Sequence, residues 1–216
     1  MASVSTEEGV VNLALARVGS RIIAVLATDT TTEAALARTL YYNVRDKLMR
    51  AHAWNFLTKR AELTDSGTDP TFGWDNGFVL PTDFLRVIDV LGTNSQHDRI
   101  PYRLEQQNLT TGTAAATPHK ILLCNSTTCF LIYIYKETDP QYWPTSFQDA
   151  VAAQLSVDLS PSLGGSAAQY DNLTKTAERA LLYAKSIDGQ EDYPESFPEG
   201  SWVTDRYGTD VDRWSE

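Results

Sequence analysis

Three histidines, two cysteines and 28 acidic side chains are the groups in this chain best suited to chemistry, and their placement decides little in its favour. His52 follows a basic helical run among aromatic residues, whereas His97 and His119 fall in expected loops, so the sequence does not gather three imidazoles for a metal. Cys124 and Cys129 have no histidine at a spacing that would make a nucleophile and base, and neither a G-x-S-x-G elbow nor an S-x-x-K box occurs. Glu191, Asp192, Glu195 and Glu199 are close in sequence but match no calcium loop. These residues point to no catalytic group, no metal and no cofactor.

The two cysteines flank Asn125–Thr128, a possible hairpin tip that could set them across two strands. A bridge there is conceivable in geometry, yet 216 residues with 42% hydrophobic content should fold without disulfide or metal. The opening MASVSTEEGV lacks the basic and apolar regions of a secretion signal, and no later run has the roughly 18 uninterrupted apolar residues of a membrane span. The expectation is a protein made and kept in the cytoplasm or in a particle assembled there, without a membrane partner.

Charge is polarised along the chain. Arg38, Arg45, Lys47, Arg50, Lys59 and Arg60 face a single acid, Asp46, over residues 38–60, while nine acids face only Arg206 and Arg213 from Asp188 onward. Opposite patches of this kind can steer one subunit onto another, and Arg38, Arg45, Lys47 and Arg50 form a candidate inter-subunit basic stripe. The net charge of −10 argues against tight duplex binding, whose affinity comes largely from neutralising phosphates.

The elements that would hold these groups can be read from capping residues and periodicity. A capping box at Ser5–Glu8 opens a helix over about 6–18 that Gly19 closes, and Thr30 with Glu33 opens a second, running to about Arg50, on which Leu36, Leu40, Val44 and Leu48 recur. From Ala61 short β-branched and aromatic runs alternate with turns: 78–80, 84–91, 102–105, 120–124 and 130–135. Thr110–Pro118 is small and polar and reads as an exposed loop. Thr145 with Gln148 opens a third helix, ending near Pro161, and Ser166 with Gln169 a fourth, which Gly189 closes. The predicted fold is α+β: a four-helix bundle from residues 1–60 and 144–189, an inserted small antiparallel β subdomain at 61–143, and an extended arm at 190–216.

Trp54 and Phe56, at the junction of helix and β region, read as core staples. The arm differs, because Tyr193, Phe197, Trp202, Tyr207 and Trp214 follow no helical or strand period and cannot make a core of their own. They are the candidate partner-binding residues, with a fold-back onto the chain's own basic helix as the competing use.

Three stretches, LYYNVRDKLMRAHAWNF at Leu40–Phe56, FGWDNGFVLPTDFLRVIDV at Phe72–Val90 and WPTSFQDAVAAQLSVDLS at Trp143–Ser160, carry a resemblance in their order and wording. Across roughly residues 8–190 the chain resembles the tail tubular protein A family, the head-to-tail adaptors of short-tailed bacteriophages. The resemblance implies a virion structural protein of the head–tail junction. It would form a dodecameric ring between the portal protein and the tail nozzle, or tubular protein B-like protein, with DNA as passing genome and arms that clasp the portal. A tail-associated hydrolase, motivated by the scattered acids, and an unrelated ligand-binding α+β module are the alternatives.

Overall fold

The structure is a computed structural model that describes residues 6–95, 98–109 and 117–191. Helix α1 spans Glu7–Val18; its N-cap is Thr6, whose hydroxyl accepts the Gly9 N–H at 3.1 Å, one residue later than the expected Ser5 box. Gly19 closes it at φ 80°, a left-handed position that a side chain would strain, and Ser20 N–H returns to Leu15 O in the 6→1 bond of a Schellman end. Helix α2, Thr32–Arg50, is likewise capped one residue late, by Thr31.

Among the described residues seven strands follow in two antiparallel sheets. The first sheet contains β1 (Thr58–Glu62), β4 (Phe84–Leu91) and β7 (Phe130–Tyr135) in the order β1-β7-β4. The second contains β2 (Thr64–Asp65), β3 (Asn76–Val79), β5 (Arg103–Leu109) and β6 (Thr117–Cys124) in the order β2-β3-β6-β5. Strand β7 shows how the layers join, because alternate residues point to opposite faces of a sheet. Its Leu131 and Tyr133 pack with Phe78, Leu122 and Cys124 between the two sheets. Ile134 turns the other way, into a core shared with all four helices.

Helices α3 (Thr145–Leu159) and α4 (Ala167–Gln190) complete the described residues. The expected four-helix bundle is not what forms. Ten of the fifteen residues of α3 are buried, so it is covered nearly all round, and it sits at the centre with the other helices packed on it. Val10, Val11, Ala14 and Leu15 of α1 and Ala37, Tyr41, Val44 and Leu48 of α2 meet Phe147, Val151 and Leu155. On a second side Ala153 and Val157 meet Leu173 and Ala177 of α4. The first sheet, through Ile134, Leu85 and Ile88, closes this core where a bundle would need another helix. The fold is therefore mixed α+β with helices, first sheet and second sheet in succession. The expected capping box of α3 is also replaced: Gln148 is buried and donates to Pro140 O and Trp143 O at 2.9 and 3.0 Å, tying the helix to the turn that precedes it.

Candidate functional site

The four members of the basic stripe have different fates. Arg45 is buried, its Nε 2.9 Å from Asp46 Oδ1 and Nη1 3.6 Å from Glu7 Oε1, with its guanidinium 5.1 Å from the Tyr42 ring centre. Burial raises the Glu7 carboxyl above its usual range, with Arg45 working against the rise. Arg38 donates to the carbonyls of Ala27 and Asp29 at 2.8 and 2.9 Å, fastening the loop between α1 and α2. Arg50 donates to Leu85 O at 2.6 Å and so joins α2 to β4. Only Lys47 stands exposed without such a bond among the described residues.

Trp54 and Phe56 sit where core staples were expected. Trp54 is buried, donates from Nε1 to Leu48 O at 3.0 Å, and packs edge-on to Phe147, which also meets Phe56 and Trp143. Beside this cluster the last turn of α4 is fixed by a contact that no sequence spacing announces. Asp188 Oδ1 accepts the Asn55 N–H at 3.0 Å, Asp188 O accepts from Asn55 Nδ2 at 2.8 Å, and Oδ2 lies 3.3 Å from His52 Nε2. Burial pushes the Asp188 carboxyl upward, opposed by the Asn55 N–H and by His52. Counted by sequence among the acids of the arm, Asp188 belongs to the fold, and α4 runs past Gly189 to Gln190.

Cys124 and Cys129 are free thiols, both buried on either side of the β6–β7 turn. Burial and the neighbouring Cys124 push the Cys129 thiol up to about 12, which keeps it from being a nucleophile at neutral pH. His119 is on β6 and far in sequence from His52, while His97 lies outside the described residues. Among the described residues no three His, Cys, Asp or Glu side chains gather as a metal-holding group, and no helix is long and apolar enough to cross a membrane. Tyr193, Phe197, Trp202, Tyr207 and Trp214 lie outside the described residues.

Among the described residues, two surfaces combine exposed apolar groups with charge. One is the outer face of α4, a helix of 24 residues that buries only Leu173, Ala177, Ala184 and Asp188. Opposite that line, at helical spacing, stand Lys175, Arg179, Leu182 and Tyr183, the last two 67% and 65% exposed. Neither cation has an ion-pair partner among the described residues. The other is a groove of about 260 Å³ on the helix-side face of the first sheet, lined by Leu91, Phe130 and Ile132 with Arg60 and Glu62 beside them. Both place apolar area beside fixed charge. No protein-family model matches the chain, and no curated protein matches it.

Proposed function

We propose that the chain is a virion structural protein, a head-to-tail adaptor whose copies form a ring, a dodecamer in this reading, between a phage portal and the tail nozzle. The observation that carries it is the outer face of α4, where Leu182 and Tyr183 are exposed beside Lys175 and Arg179 on a long helix held by one side only. Such a face fits a repeated contact with a neighbouring subunit, since aromatic and apolar groups with a charged rim make the core of most interfaces. The likeness of the three long segments to the tail tubular protein A family supplies the choice of assembly, and DNA is cargo passing through a net-acidic ring that phosphate would not adhere to.

The reading assigns the chain no reaction. Its work is multivalent clamping: each contact is modest, and a ring of portal subunits multiplies the effective concentration of the next one. Negative-stain imaging of the protein alone and mixed with the portal protein of the same phage tests it. Rings on the portal are the expected result. Free particles in both samples, or turnover of peptidoglycan or nucleic acid by the purified chain, would overturn it.

A further inference from the structure

Among the described residues strand β1 is an open edge. It pairs with β7 on one side, Thr58 through Glu62 against Ile134 through Phe130, and among the described residues no backbone hydrogen bond reaches its other side. The opposite edge of the same sheet is treated differently. There β4 is covered by a bridge from Leu91 to Arg99, by Ile100 N–H on Val90 O at 3.0 Å and by Arg50 on Leu85 O. An uncovered edge recruits another strand, and folded proteins ordinarily hide or charge it. Beside this edge lies the apolar groove of Leu91, Phe130 and Ile132, so edge and groove offer hydrogen bonds and apolar area together. Lys59 is engaged with Asp83 at 2.9 Å, but Arg60 is exposed and has no ion pair among the described residues.

The chain carries a segment suited to this place. The end of α4 is pinned by Asp188 to Asn55, and Asn55 opens the short turn that leads into β1 at Thr58. The described residues therefore end, at Glu191, next to the turn that leads into the open strand. From Glu191 to Trp202 the extended chain can reach about 36 Å, whereas β1 itself is roughly 13 Å long, so Trp202 has ample reach to the groove at the far end. Pro194 and Pro198 cannot donate in a ladder, but Ser201–Asp205, SWVTD, contains no proline and is rich in strand-forming residues. The segment is acidic, with seven Asp and Glu against Arg206 and Arg213, which complements Arg60.

We propose that the open edge of β1 and the adjoining groove are the docking site for the chain's own residues 200–205, with Trp202 seated on Phe130 and Ile132. This is strand addition in cis: main-chain hydrogen bonds hold the segment and one large side chain sets its register. It does not depend on the adaptor reading, since it concerns the single subunit. A strand bound this way occupies an edge that would otherwise be free to pair between copies, and a partner that took up the aromatic segment would expose that edge again.

The test uses the full chain with Trp202→p-benzoylphenylalanine, irradiated in dilute solution and mapped by mass spectrometry. Cross-links within one chain to peptides containing residues 58–62 or 130–132 are expected, and they should vanish when Ile132→Asp is added. Cross-links to other parts of the chain, cross-links joining two chains at the same groove, or no cross-link at all would each overturn the proposal. Amide hydrogen exchange gives a second readout that leaves the groove intact. Exchange in Lys59–Glu62 should speed up about tenfold in Trp202→Ala, the change expected when a contact of about 1.4 kcal/mol is removed. Equal exchange in the two proteins would also overturn it.

Discussion

At the scale of single residues, Arg38, Arg45 and Arg50, expected on a partner surface, act as fasteners within the subunit, whereas Lys47 does not. Arg45 illustrates why the sequence conceals this. Its seven-residue spacing from Arg38 puts both on a common stripe of α2, yet the same stripe borders Tyr41 and Val44, which the core requires, and Arg45 is carried inward with them. Asp188 is the reverse case, an acid in an acidic stretch that is 133 residues from the backbone N–H it binds. Its folded-state pKa lies above the ordinary value of 3.8, so the folded chain takes up that proton more readily than the unfolded one. The contribution to stability is thus fully present below the unfolded value and is lost as pH rises through the raised folded value. Asp188→Asn keeps an oxygen for Asn55 N–H but cannot ionise. Urea titrations from about pH 7 down to about pH 3.5 should show the natural chain gaining on this variant as pH falls. A gap that is flat with pH, or that widens in the variant's favour on acidification, would mean that Asp188 does not carry the raised pKa assigned to it.

At the scale of elements, the connection between α3 and α4 holds the tightest approach at any glycine among the described residues. A Cβ added at Gly165 would lie 2.1 Å from Ser160 Oγ and 2.9 Å from Ser160 O, and the second of these is backbone that cannot swing away. Gly165 N–H also donates to Ser160 O at 2.8 Å, so the turn cannot widen without losing that bond. Gly165→Ala should therefore cost about 1–3 kcal/mol, read as a lower denaturation midpoint with an unchanged slope. A midpoint within error of the natural chain would show that the turn relaxes freely. The helices themselves were legible because capping threonines, Gly19 and four-residue apolar spacing are local signals, and their ends fall within a residue or two of expectation. Strand β1 was not, since TKRAE is a polar edge strand whose outward residues need no apolar character. The bundle failed for a related reason. Periodicity shows that a helix has an apolar stripe but not what covers it, and the apolar residues all round α3, Ala150, Val151, Ala152 and Ala153 among them, mark it as central rather than as one of four equals.

At the scale of the whole molecule, charge and apolar surface make different demands on an assembly. The net charge of −10 means that copies repel at long range, and that repulsion is screened over about 8 Å at physiological salt. Within a ring, Lys175 and Arg179 can guide approach, but exposed ion pairs contribute only about 0–1 kcal/mol each. Leu182 and Tyr183, if covered by a neighbour, lose water from a far larger apolar area, and truncation of a well-buried interface aromatic costs about 2 kcal/mol or more. The two contributions separate in an experiment on portal-bound rings. Raising salt to about 0.5 M should alter the rate of assembly yet leave finished rings intact. Leu182→Asp with Tyr183→Asp should prevent rings at every salt concentration while leaving the melting temperature of the lone subunit nearly unchanged, because neither side chain is part of its core. Rings that dissolve in salt but tolerate the double substitution would transfer the holding role from the apolar pair to Lys175 and Arg179, and the outer face of α4 would then serve as an electrostatic guide rather than the seam between subunits.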